Sequence, residues 1–365
     1  MPLTLRAMHK RAIVVALLAL VSNGTTVAAQ EQVLRVPPGF RVTVFEPDVG
    51  GVRNLTLGPG GVVYAARTRA GTIVRLPDAN RDGVADSVVT VASGLNGPFG
   101  IAFRGDTMYV AENTAIVRFN PGSTQRTVVV PNIPGGRGHS TRTIVFGADG
   151  KMYVSVGSSC NICDEADSMR AAVVQFNPDG TGGRIFARGL RNSVGLALQS
   201  TTGEIWATNN DRDNLGDDIP PERINIIKSG KYYGWPQCYL PGQRNPEYGQ
   251  ADCSTVEPPA ITFQAHSAPL GLTFYTGTAF PADYRGDAFV AFHGSWNRTV
   301  PTGAKVVRVQ VENGRPVAVD DFVTGWQLAD GSRWGRPVGI VMLTDGALLI
   351  SDDMGGKIWR ITYGR

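Results

Sequence analysis

The stretch Arg137-Gly-His-Ser-Thr-Arg142 sets an imidazole and two guanidinium groups directly before an apolar run ending at Gly157. A neutral imidazole can take a proton from a hydroxyl, and guanidinium groups hold carboxylates. The same slot recurs before other apolar runs, as Arg53-Asn54, Asn96, Arg191-Asn192, His266 and Arg336. A second polar slot follows the next run of each unit, at Arg67, Asn113, Asn210-Asp211, His293 and Asp352-Asp353. Taken singly, each is an ordinary loop residue. Together they make a mostly cationic ring suited to an anionic or carbonyl-rich ligand, provided the fold brings them to one place.

The element that could do so repeats six times. Each unit reads as an apolar strand, a Gly-containing turn, a second strand ending in a polar residue, and a third strand such as "TIVRL" or "AIVRF". The units begin at Leu55, Ile101, Ile144, Leu196, Leu272 and Ile340. Repeats of roughly 40 to 50 residues with several strands apiece mark propeller blades. No unit carries the 3.6-residue apolar period of a helical solenoid. The 45 Gly and 23 Pro supply the turns that short strands need. An all-β, six-bladed β-propeller is expected, closed by the early segment "GFRVTVFEP" lying beside the last unit. In such a blade the start of the first strand and the end of the second share one face, so both slots surround the mouth of the central channel.

Residues 1–29 read as a secretory signal peptide: Arg6, Lys10 and Arg11 precede a short apolar core and Val27-Ala28-Ala29. An uncleaved anchor is the alternative, although Ala12 to Val21 is short for a span. Residues 30–365 then form the single propeller domain, exported to the periplasm or medium, with no membrane span. Removing three cations and no acids lowers the net charge from +4 to 32 − 31 = +1. A nearly neutral chain is a poor nucleic-acid binder.

The four cysteines lie in two local pairs, Cys160 with Cys163 and Cys238 with Cys253, and an exported chain is expected to close both as disulfides. "CNICD" has Asp164 where c-type haem attachment needs His, while a redox-active dithiol or a zinc site stays open as an alternative.

Along the whole propeller segment the chain resembles the soluble glucose and sorbosone dehydrogenases that depend on pyrroloquinoline quinone (PQQ), particularly the sorbosone-type branch. The carriers are "LPDANRDGVAD", "GLNGPFGIAF", "GHSTR", "GLRNSVGLAL", "NNDRDNLGDDIPPERIN", "YYGWP", "HGSWNR" and "GRPVGI", in that order. The resemblance implies His139 as catalytic base, with Arg191, Asn192 and Arg336 around PQQ; the repeat phase adds Arg142, His293, Asn297 and Arg298 to the same mouth as expected cofactor-binding residues, Arg298 to neutralise a PQQ carboxylate. The resemblance also implies Asn210, Asp211 and Arg212 at a cofactor calcium ion, partly through backbone carbonyls. The substrate would be an aldose-type sugar or sugar aldehyde, and no motif names the electron acceptor. Glucose-type members carry Gln where this chain has Leu95-Asn96, and Lys where it has Asn297-Arg298.

Asp78, Asn80, Asp82, Gly83 and Asp86 match the first nine positions of an EF-hand-type loop, but Val89 stands where the bidentate Glu belongs. Either a structural Ca²⁺ or an Asx-rich turn accounts for the pattern. Two other functions compete: a metal-dependent lactonase-like hydrolase, which would want carboxylates converging on a metal, and a non-catalytic binding propeller, which would expose aromatic side chains among Trp235, Trp296, Trp326 and Trp334.

Overall fold

The computed structural model describes residues 32–364. Six four-stranded antiparallel sheets follow one another around a central channel, each running from an inner strand at the channel to an outer one. The inner strands are Leu55–Leu57, Ile101–Arg104, Arg142–Phe146, Leu196–Leu198, Pro269–Phe274 and Pro337–Met342. The ring closes as expected: Phe40–Glu46 pairs antiparallel with Lys357–Tyr363 and becomes the outer strand of blade 6. The signal-peptide segment lies outside the described residues.

Each blade buries an apolar face against its neighbour, as between blades 2 and 3, where Tyr109, Ala111 and Ile116 meet Ile144, Val154 and Val174. Near the channel the blades approach too closely for side chains. A Cβ on Gly195 would stand 2.2 Å from the Leu270 carbonyl oxygen, and one on Gly271 2.4 Å from that of Val338. The "VG-L", "LG-L" and "VG-I" steps of the repeat are therefore contacts between blades, where only glycine fits. Hydroxyls on or beside the same strands tie blade to blade. Thr143 Oγ1 donates to Val194 O, Thr208 Oγ1 to Leu270 O at 3.0 Å, and Ser351 Oγ to Arg53 O across the closure.

In blades 5 and 6 the inner strand begins three residues before the repeat start, with a register shift after Pro269 and Pro337. In blade 3 it begins at Arg142. Arg142 is thus a strand residue, not a loop residue ahead of the strand.

Both expected disulfides form. Cys160–Cys163 sits in the loop after the second strand of blade 3. Cys238–Cys253, with both residues buried, staples an insertion of blade 4 that carries the hairpin Cys238–Leu240 and Gln243–Arg244. The channel is a cavity of about 450 Å³ lined by the inner strands of all six blades. Phe99, Val194, Leu270 and Val338 pack together at its end beneath the loops of the mouth.

Candidate active site

His139 lies on the loop that leads into blade 3. Its backbone N–H donates to Ser158 O at 2.9 Å, and its ring Nδ1 lies 3.1 Å from the same oxygen and 2.9 Å from Ser158 Oγ. Ser158 Oγ donates its own proton to Cys160 O at 2.7 Å, so it can only accept from the ring. Both neighbours of Nδ1 are therefore acceptors, Nδ1 carries the proton, and Nε2 keeps an unshared lone pair. Burial pushes the imidazole pKa down to about 3, helped by the charges of Arg191, Arg142 and Arg170 and opposed by the Ser158 carbonyl. His139 is thus a neutral imidazole whose Nε2 has no hydrogen-bond partner among the described residues.

Two buried arginines hold the His139 loop. Arg142 donates to the carbonyls of His139 and Thr141, both at 2.8 Å, and of Pro134 at 2.6 Å. Arg170 donates to those of His139, Gly157 and Gly135. Neither makes an ion pair among the described residues, and burial together with Arg170 lowers the Arg142 pKa to about 10. Arg170 escaped the sequence reading because it precedes a third strand, outside both slots; extending the slots to that position finds it.

Arg191 is buried and fully engaged. It donates to Asp211 O at 2.6 Å, to Asn161 O and Oδ1 at 3.0 and 2.9 Å, and to Asp213 Oδ2 at 3.0 Å. Asp213 also accepts from Asn297 Nδ2 at 2.9 Å, and Asn297 Nδ2 faces His266 Nδ1 at 3.3 Å. Asn297 Oδ1 is buried without a partner. Asn192 and His139 meet across Gly157, where a Cβ would lie 2.8 Å from Asn192 Oδ1 and 2.5 Å from His139 Cβ.

On the other side, His293 Nε2 lies 3.0 and 3.1 Å from the two oxygens of Asp353, which also pairs with Arg53. Burial would raise the Asp353 pKa, but His293 and Arg53 outweigh it and hold it at about 2. Arg336 donates to the carbonyls of His293 at 2.9 Å and Gly294 at 3.1 Å. Arg333, also missed in the sequence, donates to those of Ser295 and Thr302.

Other residues of the slots lie elsewhere. Arg67 turns to Gly50 O, and Asn96 to Thr114 within blade 2. The Asp211 carboxylate faces inward, 2.8 Å from the Arg223 guanidinium. Arg212 reaches out to Glu247 at 2.6 Å, and Arg298 is spent on Asp217 O, Asp218 and Val300 O. Asp352 is fully buried under the indole N–H groups of Trp326 and Trp359. The Asp78–Asp86 loop joins the third and fourth strands of blade 1, on the face opposite the mouth. Its side chains accept backbone N–H groups: Asn80 from Asp82 and Asp82 from Val84 as Asx turns, Asp78 from Asp82 and Gly83, and Asp86 from Ala79. Among the described residues the only three metal-binding groups that converge are Cys160, Cys163 and Glu165, and those cysteines are disulfide-bonded.

The mouth is therefore cationic in an unusual way. Arg142, Arg170, Arg333 and Arg336 bond to carbonyls and, for Arg333, a side-chain amide, with no ion pair among the described residues. Asp353 near Arg336, and Glu165 and Asp167 near Arg170, offset that charge in part, and the remainder is available to a ligand. Residues 105–360 match the family model described as glucose/sorbosone dehydrogenase. The chain belongs to the glucose/sorbosone dehydrogenase family. It is 31% identical to an uncharacterized protein of Borreliella burgdorferi, covering 93% of this chain and 94% of that one. It is 27% identical to a pyrroloquinoline quinone-dependent sugar dehydrogenase of Hypocrea jecorina, covering 87% and 84%. The propeller superposes on the holo form of the PQQ domain of a Coprinopsis cinerea pyranose dehydrogenase with a TM-score of 0.77, at 23% identity over 92% of this chain and 98% of that one. In this member of the family, the carbonyl-bound arginines and the free His139 Nε2 are the features that bear on chemistry.

Proposed function

We propose that this chain is an exported PQQ-dependent dehydrogenase of an aldose-type sugar or sugar aldehyde, with His139 as general base. One observation carries the reading: an imidazole with a free Nε2, held neutral, stands beside Arg142 and Arg170, which bond to backbone carbonyls and form no ion pair among the described residues. PQQ bears three carboxylates, which suit those arginines, and its ortho-quinone would accept the hydride from the sugar carbon. The chain's own part is to bind, orient and move one proton. His139 Nε2 receives the proton of the sugar hydroxyl, while Ser158 keeps the opposite nitrogen protonated and the ring in place. Arg336 is the cofactor clamp: it bonds to carbonyls, forms no ion pair among the described residues, and has its charge offset by Asp353 only in part.

Calcium enters this proposal only through the carbonyls of Asn210 and Asp211. Each retains a lone pair after accepting from Arg191, whereas the Asp211 carboxylate and Arg212 guanidinium are engaged elsewhere. Placement in the periplasm or medium is supported by the leader-like first 29 residues and the two disulfides, and no described helix is long and apolar enough to cross a membrane.

The hydrolase reading wants free carboxylates, yet Asp211, Asp213 and Asp353 are each paired with a cation and Asp352 is buried beneath N–H donors. The binding-propeller reading wants an aromatic surface, yet Trp235 and Trp326 are buried and only Trp296 stands out, 74% exposed. The deciding experiment titrates apo-protein with PQQ, with and without Ca²⁺, then adds aldoses and follows the reduced-quinone spectrum. Micromolar or tighter binding followed by sugar-dependent reduction is expected. No binding with Ca²⁺ present, or lactone hydrolysis without quinone, would overturn the proposal.

A further inference from the structure

The loop Ser158–Cys163 touches both halves of the catalytic constellation. Ser158 N donates to Arg191 O at 2.7 Å, Ser158 O and Oγ hold His139 Nδ1, and Ser158 Oγ ends on Cys160 O. Three positions on, Cys160 is bonded to Cys163, which closes a turn with Asn161 at its tip. Asn161 makes five hydrogen bonds at that tip. Its carbonyl accepts from Arg191 Nε at 3.0 Å and Trp235 Nε1 at 3.1 Å, its Oδ1 from Arg191 Nη2 at 2.9 Å and Asp213 N at 2.8 Å, and its Nδ2 donates to Asp213 O at 3.0 Å.

We propose that the Cys160–Cys163 turn is the positioning clasp of the site: through Ser158 it fixes which nitrogen of His139 bears the proton, and through Asn161 it holds the Arg191 guanidinium. The reason is directional. Ser158 Oγ can accept from the imidazole only while its own proton is committed to Cys160 O, and that carbonyl points correctly only while the turn is closed. With the turn open, the hydroxyl is free to rotate and donate to the ring, the Ser158 carbonyl is the one acceptor left to favour Nδ1–H, and the Nε2–H tautomer, useless as a base on that nitrogen, becomes accessible. Asn161 is likewise held at both backbone and side chain, and its two oxygens accept from two of the five Arg191 N–H groups. The consequence for catalysis rests on the reading of His139 as base; the clasp itself does not.

The test uses the folded apo-protein. Cys160 and Cys163 are half-buried whereas Cys238 and Cys253 are buried, so a water-soluble phosphine, oxidised to its oxide with oxygen from water, should open the first disulfide to two thiols selectively. Alkylation and peptide mapping verify which bond opened. Imidazole ¹⁵N NMR then reads the tautomer: a single Nδ1–H form of His139 in the intact protein and an averaged pair of shifts in the opened one. The C160S/C163S variant should reproduce that averaging. In Asn161→Ala, the Arg191 Nε–H should exchange with solvent at least tenfold faster. An unchanged His139 tautomer in the opened protein, or unchanged Arg191 exchange in Asn161→Ala, would overturn the proposal. Because neither reading involves cofactor, failure of the protein to bind PQQ would sink the cofactor assignment and leave the clasp to be judged on these spectra.

Discussion

At the scale of single residues, the proposed function divides the work between His139 in the transition state and Arg336 in the ground state. His139→Ala removes the proton acceptor, so sugar oxidation should fall by about 10²–10⁴-fold while PQQ affinity, read by titration, changes little. Arg336→Ala removes a charge-assisted contact of about 1.5–3 kcal/mol, so affinity itself should fall roughly ten- to a hundredfold. The depressed pKa of His139 gives a pH signature. In the folded apo-protein the ring should stay neutral until the pH approaches about 3, against 6.5 when unfolded. The unfolded chain then binds the extra proton first, so this group leaves stability intact above about pH 6.5 and erodes it as the pH falls from there toward 3. An NMR titration of His139 checks the first point; a ring that titrates near 6 would show that the arginines and burial do not act on it as described.

At the scale of elements, the inner strands are held together where blades meet, and the glycines and hydroxyls there have separable roles. Gly195→Ala must push a methyl against the Leu270 carbonyl, a backbone atom that cannot swing aside. It should destabilise more than Thr208→Val, which leaves Leu270 O and Gly195 N without the hydroxyl that bridges them and costs about 1–3 kcal/mol. Thermal unfolding of the two variants ranks them, and equal midpoints would argue against the close approach of blades 4 and 5. Much of this was legible in the repeat: six units, their strand order and the polar slots follow from alternation and turn residues. The inner-strand starts of blades 3, 5 and 6 were not, because Pro269, Pro337 and Arg142 pair by backbone geometry that the apolar pattern does not report.

At the scale of the whole molecule, the ring is closed by Phe40–Glu46, and Phe40 carries much of that closure. Its ring meets those of Phe280, Phe322 and Tyr363 at 4.8, 5.0 and 4.9 Å, and the residue is 8% exposed. Phe40→Ala should cost about 3–5 kcal/mol, lowering the denaturant midpoint, with hydrogen exchange rising first in Lys357–Tyr363. Exchange rising evenly over all blades would mean that closure is not the local weak point. Loss of the Cys238–Cys253 staple should cost about 3 kcal/mol from its 15-residue separation.

The sequence by itself determined the blade count, the closure, the local disulfides and the identity of the polar slots, because each of these is a matter of period, strand alternation or short separation along the chain. Only the tertiary structure decided what the slot residues do. Arg191, Arg298 and Asp211 look alike in sequence as ligands for a bound group, yet each is consumed by partners outside its own slot, at Asn161, Asp218 and Arg223. Arg170 and Asn161, which no slot contained, hold the His139 loop and Arg191 in place. Hydrogen-bond direction is set by which groups meet in space, and a one-dimensional pattern of residue types carries no record of which donor has already been satisfied.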